Sequence, residues 1–110
     1  MVDTAKKFYQ GQPAATDTLL YTAPATGATI LSIHAVNTTA LAATLTIGVN
    51  ASAALAIANH ILSAITIPPR GTYDYTGMIQ LDNSATTGTI RALQGTASAI
   101  TVIISGNEIT

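Results

Sequence analysis

The amino-acid sequence predicts an all-β fold: a single-domain antiparallel β-sandwich, jelly-roll-like, of seven to eight strands behind an N-terminal arm. Three observations predict it. Apolar residues recur at every second position in several short runs, the runs are separated by Pro-, Gly- and Asn-bearing turns, and no segment carries an apolar stripe of helical period. A chain of 110 residues makes one domain. At that size it buries roughly two-thirds of its unfolded surface, enough for a core without metals or disulfides.

Residues 1–15 lack periodicity and read as the arm, within which KKFYQ (6–10) suits a short edge strand; residues 16–110 form the sandwich domain. Strands are expected at 17–23, 28–37, 43–50, 60–67, 72–81, 89–94 and 99–106. Leu31, Ile33 and Ala35 share one face of their run, as do Leu45, Ile47 and Val49, and Ile100, Val102 and Ile104. Thr44, Thr46, Thr101 and Ser105 alternate with them and face outward, the pattern of a half-buried antiparallel strand. The turns PATG (24–27) and PPRG (68–71) place Pro first and Gly fourth, which suits type I geometry. DNSATTG (82–88) and QGTAS (94–98) are further reversals. The Ala-rich stretch 50–59 is either a short helical crossover or an extended loop.

Charge is the outlier. Only 8% of residues are charged, against about 25% in an average soluble domain, and the net charge is −1. Lys6, Lys7, Arg70 and Arg91 are too few and too dispersed to neutralise a nucleic-acid backbone or to hold a membrane surface, so neither partner is expected. The start MVDTAKKFYQGQP is too polar for a secretory leader, and no apolar run reaches membrane-spanning length. The NTT (37–39) and NAS (50–52) matches to a glycosylation acceptor are therefore read as accidental. An exterior so poor in charge favours association over repulsion.

No chemistry is announced. His34 and His60 show no ligand spacing with Asp3, Asp17, Asp74, Asp82 or Glu108, so no metal and no cofactor are expected. There is no cysteine and no G-x-S-x-G elbow, and the five acids are scattered, so no catalytic residue is assigned. Two clusters remain. Lys6, Lys7, Phe8 and Tyr9 concentrate cations and aromatics in the arm and are the expected interface anchors. Tyr73 and Tyr75 share one strand face; the commoner role for such a pair is packing at the sandwich edge, and glycan contact is the lesser alternative.

The order GQPAATDTLLYTAPATGATILSIHAVNTT, followed by NHILSAITIPPRGTYDYTGMIQLDNSATTGTIRALQGTASAITVIISGNEIT, resembles a family of small all-β proteins encoded by tailed bacteriophages and prophages. Its marks are a strand followed by YT-x-P-x-G, a strand ending in an Asn-Thr turn, I-P-P-x-G, an aromatic strand, and TI-x-A leading to T-V-x-I-S-G-x-E. The resemblance spans residues 11–110. It implies a non-enzymatic virion component, and it transfers no functional residue because its marks are turns and strands. The expectation that follows is a capsid decoration (cement) protein on the outer shell, made in the host cytoplasm, with the major capsid protein and its own copies as partners. Three-fold shell positions suggest a trimer. A tail, collar or fibre component is the alternative, and a carbohydrate-binding module a further one.

Overall fold

The computed structural model describes residues 3–52, 54–84 and 86–109. Eight strands follow in order: β1 Asp3–Gly11, β2 Thr18–Thr22, β3 Ala28–Asn37, β4 Ala43–Val49, β5 His60–Ile67, β6 Thr72–Leu81, β7 Thr89–Gln94 and β8 Ile100–Ile109. They form two four-stranded antiparallel sheets, sheet A in the order β1-β8-β3-β6 and sheet B in the order β2-β7-β4-β5. Partners nest: β4 pairs with β5, β3 with β6, β2 with β7 and β1 with β8. One long hairpin of strands is thus rolled into two facing sheets, which is a jelly roll.

The inward phase of each strand fills the space between the sheets. Ile30, Ile33, Leu45, Ile47, Ile90, Ile100, Val102 and Ile104 are fully buried there. β-branched residues dominate because two substituents at Cβ pack well on a pleated surface.

Two expectations need correction. Leu31 is not a core residue: a bulge in β3 between Ile30 and Ser32 restarts the alternation, so Ile30 takes the inward place and Leu31 stands 39% exposed on the outer face. The segment 1–15 is not an arm apart from the domain. Residues 3–11 are the edge strand of sheet A, paired with β8 along their length. The edge strand expected at 6–10 extends beyond those residues on both sides, and Lys6 and Phe8 both turn inward across a bulge between Lys7 and Tyr9. Gly106 sits under that bulge. A β-carbon there would collide with the Thr29 carbonyl and the Phe8 ring, so only glycine fits.

The two Pro-first turns differ. In 24–27 the Gly27 N–H bonds the Pro24 carbonyl at 2.8 Å and only Gly27 has positive φ, consistent with type I. In 68–71 the left-handed residue is Arg70, at φ 58, so this turn is type II and not type I. Of the stretch 50–59, residues 50–52 and 54–56 carry neither helix nor strand, and Ile57–Asn59 form one 3-10 turn.

Candidate functional site

The outer walls of the sandwich are unequal. Sheet B is partly roofed by the 50–59 loop, which folds back over it: the Leu55 side chain occupies the place where Gly48 would carry a β-carbon, and the Leu55 N–H bonds Asp17 at 3.1 Å. Asp17 also accepts two bonds from the Arg91 guanidinium, each 3.3 Å, which anchors the loop across the sheet. Thr46, expected on the exposed side, is buried there and its hydroxyl accepts the Ala64 N–H at 2.9 Å.

Sheet A is bare. Three of its outward rows, read across β1-β8-β3-β6, are Gln10–Ile103–His34–Asp74, then Lys7–Ser105–Ser32–Thr76, then Ala5–Asn107–Thr29–Gln80. Lys7, His34 and Asp74 are the only ionisable side chains in those rows, and the His34 Nδ1 meets the Asp74 carboxylate. Extruded Leu31 borders a shallow depression of about 480 Å³, lined also by Ala5, Lys7, Ser32, Ser105 and Asn107. The face is therefore broad, hydroxyl-rich and nearly uncharged, and offers a dry contact little desolvation cost.

The expected interface anchors are only partly on this face. Lys7 is outward, beside Gln10. Phe8 is 7% exposed and stacked on Tyr21 of sheet B, with ring centroids 4.3 Å apart, so it anchors its own sandwich and not a neighbour. Tyr9 is half-buried against the same core. Lys6 turns inward at the open edge, bonds Glu108 at 3.0 Å and lies 6.0 Å above the Tyr21 ring. The β1 backbone hides these side chains because pairing with β8 satisfies it.

Tyr21 donates its hydroxyl to the Glu108 carboxylate, so one acid ties β8 to both β1 and sheet B. Burial, then the adjacent carboxylate, pushes the Tyr21 phenol upward. The Tyr21 hydroxyl, then Lys6, hold Glu108 below the usual carboxyl range. A depressed acid stabilises the fold above its ordinary range and loses that contribution as pH falls through its folded value. Wild-type stability should therefore fall on acidification below about pH 4.5, and Tyr21→Phe should flatten that acid limb. At neutral pH the same variant is expected to lose about 1–2 kcal/mol. Urea melts at pH 3 to 7 check both.

Tyr73 and Tyr75 point between the sheets, opposite Ala35 and Ile33, and pack against the core. Their rings do not form an outward platform. His60 lies beside Ser63 at 3.2 Å. Among the described residues, no group of three or more His, Cys, Asp or Glu is placed to hold a metal ion.

Two buried amides escaped sequence reasoning. Asn37 donates to the Leu41 and Ile67 carbonyls while its oxygen accepts from the Thr39 N–H and hydroxyl. Gln94 donates to the Pro13 and Ile100 carbonyls and accepts from the Ala99 and Ile100 N–H groups. The signal was present in TIRALQ, where Gln94 occupies the inward phase set by Ile90 and Ala92. These amides fix the loops at one end of the roll.

Comparison with known protein families, with curated proteins and with solved structures finds no match to this chain.

Proposed function

We propose that the chain is a non-enzymatic structural protein of a tailed-bacteriophage virion, a capsid decoration protein that lies on the outer shell and bridges neighbouring major capsid subunits. The observation that carries this reading is the bare outer face of sheet A, with three ionisable groups across three central rows of side chains, while sheet B is partly roofed by the chain's own loop. The sequence resemblance to small all-β phage proteins supplies the particle. Contact would come from burial of Ile103, Leu31 and the methyl groups of threonine, at about 25 cal/mol per Å² of apolar area. Repetition at every shell position compensates for a weak single contact.

Ser32 and Ser105 are neighbours at the centre of this face. Ser32→Glu with Ser105→Glu is expected to weaken binding to purified empty shells at least roughly a hundredfold, the effect of trapping unpaired charge in a dry contact. The melting temperature should stay within a few degrees. Unchanged binding overturns the assignment of the face. Copy number in purified virions tests the placement: abundance comparable to the major capsid protein, on the head by electron microscopy, supports decoration. A few copies at the collar or tail tip, or none in the particle, rejects it.

A further inference from the structure

Most polar side chains in the central rows of sheet A pair off among themselves. His34 meets Asp74, the Thr29 hydroxyl donates to the Gln80 amide oxygen at 3.0 Å, and Lys7 donates to the Gln10 amide oxygen. Ser32, Ser105 and Asn107 lie between these pairs, and among the described residues their side chains make no hydrogen bond. All three line the shallow depression beside Leu31. The hollow has a backbone cause. The β3 bulge sets Leu31 as one wall, Ala5 of β1 adds only a methyl group at the other, and Gly106 of β8 lies between them without a side chain.

Charge and donor count indicate the occupant. Of the three ionisable groups in these rows, His34 and Asp74 engage each other, and the neutral Gln10 amide leaves the Lys7 charge uncompensated. Lys6 also borders the depression but sends its ammonium inward to Glu108. The lining therefore presents donors: the Lys7 ammonium, two serine hydroxyls and the Asn107 amide. A carboxylate offers about four acceptor sites and no donor, so it uses all of these groups at once. Leu31, 39% exposed beside them, suits the methylenes of a glutamate. A sugar would leave the lysine charge unbalanced, and a phosphate at roughly −2 brings more charge than one ammonium balances.

We propose that this depression receives the carboxylate of a glutamate side chain projecting from the capsid subunit beneath. Lys7 is its ionic partner, Ser32, Ser105 and Asn107 are its hydrogen-bond donors, and Leu31 packs on its methylenes. The assignment rests on the reading of this face as the shell contact and adds the chemistry of the partner to it. A carboxylate closed into a contact loses its water, and a full set of donors offsets that cost. The pair also gives the face a register. Hydroxyls and methyl groups slide over a neighbouring surface with little preference, whereas one charged pair fixes the orientation and rejects a shell surface that presents a cation there.

Lys7→Met is expected to weaken binding to purified empty shells roughly tenfold and Lys7→Glu roughly a hundredfold, while Lys7→Arg keeps it within about threefold. Melting temperatures should match the wild type, because Lys7 is exposed. A second measurement needs no shell. Sodium glutarate titrated into the isotopically labelled free chain should shift the Leu31 methyl and Asn107 side-chain amide resonances, saturating in the millimolar range, and Lys7→Met should abolish the shifts. Inorganic phosphate and methyl glucoside should leave these resonances in place. Shells that bind the wild type and Lys7→Met equally, yet lose the Ser32→Glu and Ser105→Glu double variant, overturn the carboxylate and leave the face standing. A wild type that binds no shell overturns the reading of the face and the shell as the source of the carboxylate. Absence of glutarate shifts, or equal shifts from phosphate or the glucoside, overturns the proposal whatever the shells do.

Discussion

Gln94→Leu is expected to destabilise the fold by about 3–5 kcal/mol, although leucine is close in volume and more apolar. The amide is fully buried and serves four backbone groups: the carbonyls of Pro13 and Ile100 and the N–H groups of Ala99 and Ile100. Leucine leaves these groups buried without partners, and each orphan costs about 1–3 kcal/mol where water does not reach it. The apolar gain of the substitution is smaller than two such losses. The melting temperature should fall by more than about 10 °C, since 1 kcal/mol moves a domain of this size by about 4–8 °C. Calorimetry decides. A fall below about 3 °C would mean that the 12–17 and 95–99 loops hold their shape without the bracket.

Phe8→Ala should cost about 3–5 kcal/mol, the range for deleting a buried aromatic side chain. The ring is stacked on Tyr21 at an interplanar angle of 20° and closes the gap between the first strands of the two sheets. The loss should be local before it is global, because β1 is bonded to sheet A on one side only. Amides of residues 4–10 are expected to lose hydrogen-exchange protection first, with β3 and β4 following at the global transition. A stable isolated Phe8→Ala chain with β1 protection intact would return the side chain to the role of an anchor for another molecule.

Much of the fold was legible because most strands obey one rule. β3, β5, β6 and β7 fall at the boundaries that alternation and turn chemistry set, and β4 differs by one residue. The misreadings share a physical cause: a bulge inverts the phase of everything beyond it. In ATILSIHAVN the alternation of Leu31, Ile33 and Ala35 runs unbroken, and only the pairing with β8 and β6 shows that the core takes Ile30 in place of Leu31 while keeping Ile33 and Ala35. β1 was harder to read, because its inward phase includes a lysine whose ammonium finds Glu108 from a strand near the other end of the chain. Its outward phase includes an alanine. No local pattern encodes a partner so distant.

The candidate surface was half legible. Poverty of charge predicts that some wall is a contact, and sequence alone does not choose between two walls. The choice depends on Gly48, whose missing side chain lets Leu55 settle on sheet B and leave sheet A uncovered. Of the anchors expected from composition, Lys7 lies on the outer face while Phe8 is taken up by the chain's own core. An aromatic and basic cluster reads the same whether its rings face a neighbour or the chain's own interior, and the stack of Phe8 on Tyr21 is what separates the two.

The nested pairing of strands bears on the timing of synthesis. β8 is an interior member of sheet A, lying between β1 and β3, yet it is the last strand to be made. As the chain leaves the ribosome, β4 and β5 can zip early, while the first-made strand waits for a mate about a hundred residues behind it. Long-range closure of this kind is slow. The nascent polypeptide therefore passes through a stage in which Phe8 and the isoleucines of β3 have no roof, and chaperones or sister chains meet it in that form.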